Sequence, residues 1–377
     1  MTARTEAAAA APPLSALQRR LRICAARPDE PWLVLTENVP QWPGTVRPAP
    51  RPDPLSFTYP DSQGLPVLAA AIARRENAAF GRPAVSAANV LVTNGAMHAM
   101  ALLIRYAAGL GYRHAVSLTP MFRSIYELLS RAGLELSAVP VGTAGEVDLD
   151  LLAALCARPG TLLYLNLPHN PTGTVLTAEL DHVMRRLALR QDLMIIYDAV
   201  YDSFAFGPGA RPAPADLAAA SPRFIQVNSM SKNYGRPGER VGWMVGRPEV
   251  ISQLTGDLER EAVGINAVGQ LAAAAVLEEG NQPLVAAVAT GRAVVSAAQA
   301  VLLPPGGTQV WLDLGLPDVE RFADYALGAH HLALTTASNY FPAIPGHIRY
   351  PTGLKPEILQ RGLRALDRAR AHWAARA

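Results

Sequence analysis

The chain has 377 residues, half of them hydrophobic and 17% charged, which excludes a disordered protein and leaves room for a large α/β core with a smaller domain beside it. Its net charge of +3 comes from scattered Lys and Arg, so a nucleic-acid or anionic-membrane partner is not expected and small-molecule chemistry is. Two cysteines, Cys24 and Cys156, exclude a disulfide framework and a paired-cysteine zinc or redox site; no metal site is expected, and a reduced, cytoplasmic setting is.

In chain order, residues 1–15 carry an alanine run broken by Pro12 and Pro13 and read as a disordered tail rather than a signal peptide. Residues 16–50 are expected to join the small domain, with Pro40–Pro54 an irregular crossing segment. From residue 51 to 265 the pattern alternates. Helical periodicity over Leu65–Phe80 and Met97–Ala108 is interleaved with β-type runs at Val90–Thr93, Ala115–Leu118, Leu162–Asn166, Leu193–Tyr197 and Phe224–Val227. Strands separated by helices predict a three-layer α/β large domain with a mostly parallel sheet, whose ligands bind beyond the strands' carboxyl ends. Residues 266–377 read as a smaller α+β domain. It has a long helical region including the Ala-rich Ala267–Leu277, then Gly306-Gly307, a strand-like Thr308–Leu314 and a helix from about Pro356. No apolar stretch reaches the roughly 18 residues of a membrane span.

Polar motifs fall at those strand ends. Asn166-Leu167-Pro168-His169-Asn170-Pro171-Thr172-Gly173 fixes a tight loop in which an X-Pro bond can be cis. Asp198-Ala199-Val200-Tyr201 follows the fourth run, where an aspartate by itself is most often a helix cap. Ser229-Met230-Ser231-Lys232 leads, eight residues on, to Arg240-Val241-Gly242. Asn170, Asp198 and Lys232 are spaced by 28 and 34 residues. Thr93-Asn94-Gly95-Ala96-Met97 opens a helix whose free N–H groups attract an anion.

Together these motifs resemble the pyridoxal-5′-phosphate (PLP)-dependent class I/II aminotransferase family, of the aspartate-aminotransferase fold type I, from about residue 30 to 370. The resemblance implies that Lys232 carries the cofactor as a Schiff base, since only a primary amine can form the imine and later shuttle a proton. It gives the cofactor phosphate to Ser229, Arg240 and the Gly95-Ala96-Met97 helix start, the ring oxygen to Asn170 and Tyr201, and the pyridine nitrogen to Asp198. Phe122 would stack on the ring, and His169 receives no role. Tyr59 of Tyr59-Pro60-Asp61-Ser62-Gln63-Gly64 would reach the phosphate of a neighbouring subunit, implying a homodimer with shared sites. Arg349, in Gly346-His347-Ile348-Arg349-Tyr350, would grip the substrate α-carboxylate.

The implied activity is transfer of the amino group of an L-amino acid to a 2-oxo acid. A cyclase or a C–S or β-eliminating lyase would use the same residues, and a PLP-sensing regulatory domain would need a DNA-binding module that residues before 30 do not suggest. One departure bears on substrate: Asn38 stands where the family commonly has glycine, with Glu37 beside it. Asn38 is expected to narrow the pocket and add a hydrogen-bonding group. Glu37 either points to solvent or pairs with a basic side chain, favouring arginine- or ornithine-like substrates over aspartate and leucine.

Overall fold

The protein is described from a computed structural model that covers residues 15–42, 59–299 and 303–376. The tail expected over 1–15 lies outside the described residues except for Ser15, as does the crossing segment beyond Trp42.

Apolar β-rich segments fold here as strands buried on both faces. Every residue of Thr161–Asn166, Leu193–Asp198 and Phe224–Ser229 is buried, which is how a strand in the interior of a covered parallel sheet reads. The large sheet has seven strands in the order Val90–Thr93, Gly242–Val245, Phe224–Ser229, Leu193–Asp198, Thr161–Asn166, His114–Thr119 and Glu135–Pro140. Gly242–Val245 alone runs against its neighbours; the other pairings are parallel. The fold is therefore α/β with a mostly parallel sheet, as the alternating pattern predicts.

A second, four-stranded sheet runs in the order Leu33–Leu35, Leu332–Thr336, His347–Pro351, Gln309–Asp313. It has its own core, in which Leu35, Phe322, Leu334, Ile348 and Leu363 are buried. The first helix, Ala16–Ala26, starts with a Ser15 capping box and packs on this unit. Its Arg20 is 2% exposed and pairs with Glu320 and Asp324 of the helix Val319–His330. The larger core extends past residue 265, because the Ala-rich helix Ala267–Glu279 lies on Pro66–Phe80 and adds Ala273, Ala274 and Val276 to it. A two-stranded ribbon joins the units: Met121–Phe122 pairs with Tyr340–Phe341. It sets Tyr340, from the C-terminal part of the chain, beside the strand ends of the large sheet.

Candidate active site

The register of the parallel strands assembles the site. Asn166 lies opposite Asp198, Asp198 opposite Val227, and Ser229 opposite Gly242, so the polar ends of neighbouring strands fall on one line. Asn166 ties two of them together: its Nδ2 donates to the Asp198 carbonyl at 3.2 Å and its Oδ1 accepts from the Asn170 N–H at 2.9 Å. The loop between carries cis bonds at Leu167–Pro168 and Asn170–Pro171.

Asp198 is 7% exposed and accepts from the Tyr164 hydroxyl at 2.7 Å and the Val200 N–H at 3.2 Å. Burial pushes its carboxyl up to about 6, against the pull of those two bonds. Lys232 sits in the short helix Met230–Asn233, capped by Ser229. Burial brings its ammonium down to about 8, and the positive charges of Arg349 and Arg240 act in the same sense while Glu37 opposes them. About a tenth of such an amine is free base at pH 7, against about one part in 2,500 for an ordinary lysine. It is one of two lysines in the chain; the other, Lys355, is exposed.

At the anion end, Gly95 adopts φ +75° as the N-cap of Ala96–Gly109. A Cβ there would lie 2.6 Å from Arg240 Nη2, and a Cβ on Gly242 would lie 2.7 Å from the Ala96 nitrogen. Gly95 thus leaves room for the Arg240 guanidinium at a left-handed backbone position, and Gly242 lets its strand pass close to the Gly95–Ala96 backbone. Arg240, itself at φ 57°, donates to the Asn94 and Pro237 carbonyls at 3.3 and 2.9 Å. The Ser229 hydroxyl donates to Ser231 Oγ at 2.9 Å. Met97 is exposed on the first helical turn, and Phe122 is exposed at the head of Arg123–Arg131.

Arg349 is 8% exposed and held at both ends of its guanidinium. Its Nη1 donates to the Tyr340 hydroxyl at 3.0 Å, its Nη2 to the Thr36 carbonyl at 2.6 Å, and Tyr340 passes the chain on to Asn170 Oδ1 at 2.9 Å. Among the described residues its buried Nε has no hydrogen-bond partner, a donor available to an anionic ligand. Glu37, next to Thr36, is exposed. Asn38 differs from the expectation. Its amide is consumed inside the protein, with Nδ2 donating to Tyr201 and Gln309 and Oδ1 accepting from Thr308, so it adds no free hydrogen-bonding group to the pocket. His169 is buried, bonded to Thr172 at 2.8 Å, and held neutral by burial at a pKa of about 4. Tyr59, 84% exposed, stands outside the cluster.

A largely buried network behind Lys232 leaves little mark in the sequence. Arg75 forks onto Asp202 and also pairs with Glu76 at 3.0 Å; Glu76 accepts from Gln226 and Trp243 at 2.6 and 2.9 Å. Asp202 accepts from Asn233, the residue after Lys232, at 2.7 Å. The signal available was the adjacency of Asn233 to Lys232 and of Asp202 to Tyr201. Tyr164 and Tyr340 gave none, since a tyrosine among apolar residues reads as core.

Residues 53–366 match the aminotransferase class I and II family. The chain belongs to that family. A 3-methylarginine biosynthesis aminotransferase from Streptomyces arginensis is 38% identical, over 94% of this chain and 96% of that protein. An L-aspartate:5-guanidino-3-methyl-2-oxopentanoate transaminase from Pseudomonas syringae pv. syringae is 36% identical, over 96% and 95%. The crystal structure of an aspartate aminotransferase from Thermotoga maritima has a TM-score of 0.79 at 23% identity, covering 94% of this chain and 96% of that one, and so shares the fold. The chain is an amino-acid aminotransferase of a PLP-dependent family, and the cyclase and lyase readings are not favoured. Among the described residues no group of three or more His, Cys, Asp or Glu could hold a metal ion, and no helix is long and apolar enough to cross a membrane.

The donor set fits PLP. A half-buried amine, a buried carboxylate, an amide, a phenol, and a guanidinium over a helix N-terminus match an aldehyde, a pyridine nitrogen, a ring oxygen and a phosphate.

The buried Asp198 carboxyl gives a pH test on the cofactor-free protein. The folded group keeps its proton up to about pH 6, against the ordinary 3.8 of the unfolded chain. Between those values the folded state binds more protons, so stability falls as pH rises from about 4 to 6, by up to about 3 kcal/mol. Asp198→Asn removes this loss. The stability of the variant relative to wild type, from urea unfolding, is expected to climb by that amount across the window; a flat difference contradicts the assignment.

Proposed function

We propose that this aminotransferase holds PLP on Lys232 and interconverts a guanidino amino acid with its 2-oxo acid. Lys232, at about 8, is basic enough to take a proton and depressed enough that about a tenth of it is free base at pH 7. When bound, the cofactor supplies an electron sink for the substrate's α-carbon. Asp198 would keep the cofactor's ring nitrogen protonated, since a buried carboxylate gains most when paired with a cation. Arg240, Ser229 and the Gly95-Ala96-Met97 helix start would hold the phosphate, Asn170 and Tyr201 the ring oxygen, and Phe122 a ring face. Arg349 would take the substrate α-carboxylate, which its unpartnered Nε and its fixing by Tyr340 and Thr36 support.

The single observation that carries the substrate class is the exposed Glu37 carboxylate, whose charge acts on Lys232 and which follows the carbonyl that anchors Arg349. A negative group there complements a guanidinium at the far end of a substrate held by its α-carboxylate. Two relatives whose names carry 3-methylarginine and a guanidino 2-oxo acid support the same reading. The proposal extends to a homodimer: the large exposed face of Tyr59 suits contact with a partner subunit's phosphate site.

With one fixed amino donor, a guanidino 2-oxo acid is expected to outperform aliphatic 2-oxo acids of equal length in kcat/KM. Glu37→Gln should cut that preference by up to about 1 kcal/mol, the range for an ion pair at an exposed carboxylate. Equal rates for both classes, unchanged in the variant, contradict the substrate reading. For the dimer, Tyr59→Phe and Lys232→Ala subunits are mixed under conditions of proven exchange. Activity above that of either parent is expected, because one of the two sites in the hybrid carries neither lesion; no recovery counts against Tyr59 acting across the interface.

A further inference from the structure

A chain of hydrogen bonds whose donors are all fixed, diverging from the Asn38 amide, links the Asn170 loop to the hydroxyl of Tyr201. It begins at Gln309, whose Nε2 donates to the His169 carbonyl at 3.2 Å, with that of Pro171 at 3.5 Å. Backbone carbonyls only accept, so this end of the amide must be the NH2, and Oε1 must face the other way. There Oε1 accepts from Asn38 Nδ2 at 2.6 Å and from the Thr308 N–H at 3.0 Å. Asn38 is therefore turned with its nitrogen toward Gln309, and its Oδ1 takes the Thr308 hydroxyl at 2.6 Å. The same Nδ2 donates to the Tyr201 oxygen at 3.2 Å.

Asn38, Tyr201, Thr308 and Gln309 are each at most 3% exposed, so water does not compete for these partners. An oxygen that accepts from Asn38 leaves its own hydrogen for donation elsewhere. Among the described residues no hydrogen bond uses the Tyr201 hydroxyl as donor.

We propose that Asn38 is a positioning residue: it fixes the Tyr201 hydroxyl as a donor toward the cofactor ring oxygen and is itself oriented by Thr308 and Gln309. A glycine at 38 has no side chain with which to do this. The proposal rests on the reading that Tyr201 faces the cofactor. Donation from Asn38 strengthens Tyr201 as a donor, and a stronger donor stabilises negative charge on the ring oxygen. The other charged or titratable groups that act on Tyr201 are Arg349, Tyr340 and Asp198, and all three stay in place in the variants below.

The test is a pH titration of the visible absorbance of the cofactor-loaded protein, with no turnover required. Tyr201→Phe is expected to raise the midpoint. Asn38→Leu, close in size but without a donor, should raise it by about 0.5–1 pH unit, the size of one neutral hydrogen bond. Thr308→Val, which frees the Asn38 amide to turn over, should give a smaller shift in the same direction, and carries the test if Asn38→Leu does not fold. In a Tyr201→Phe background neither substitution should add anything. An unmoved midpoint in the Asn38 and Thr308 variants, where Tyr201→Phe moves it, overturns the proposal; so does the same shift with and without the phenol. An unmoved midpoint in Tyr201→Phe overturns the functional reading beneath it instead.

Discussion

Asp198 is the last residue of a strand buried along its whole length between two others. A carboxylate in that position is costly unless something compensates it, and Tyr164 and the Val200 N–H do so only in part, leaving the group at about 6. The neighbourhood is arranged around that incomplete satisfaction. Asn166 bonds the Asp198 carbonyl and the Asn170 N–H, so the loop that bears Asn170 is set by the same strand end. Ala199 accepts from Asn233, so the segment bearing Lys232 is set by it too. A cationic ring nitrogen placed against Asp198 would complete its pairing, and the site is destabilised in a way that a ligand relieves.

Lys232 shows the complementary condition. Burial and the positive charges of Arg349 and Arg240 all disfavour its ammonium form, with Glu37 opposing. Arg349 and Arg240 are themselves anchored on neutral partners: a tyrosine hydroxyl and the Thr36, Asn94 and Pro237 carbonyls. Two guanidinium groups that, among the described residues, have no carboxylate partner both act on the amine, a field that would suit anionic ligands.

The parts legible in the sequence are those where one residue type has few alternatives. The five β-type runs were readable because strands buried on both faces are continuous apolar stretches, and the Lys232, Asp198 and Asn170 motifs because they close those stretches. Gly242–Val245 was not read as a strand, being four residues long and antiparallel, although it lies inside the sheet. Glu135–Pro140 was missed because an edge strand is mostly exposed and lacks the apolar signature. Arg75 and Glu76 sit in a helix where adjacent charges suggest a solvated face, yet Glu76 is buried and Arg75 nearly so, since their partners on other elements supply the compensation. Asn38 was legible as a departure but not in its consequence, because the partners that consume its amide lie some 160 to 270 residues away.

The amine of Lys232 is central to this site, and it is easy to interrogate because Lys355 is the only other lysine in the chain. Protein loaded with PLP is reduced with borohydride, digested and mapped by mass spectrometry. The account predicts the pyridoxyl group on Lys232, with none incorporated at that peptide in a folded Lys232→Ala protein. Label on Lys355, or no covalent label although the cofactor is bound, would contradict it.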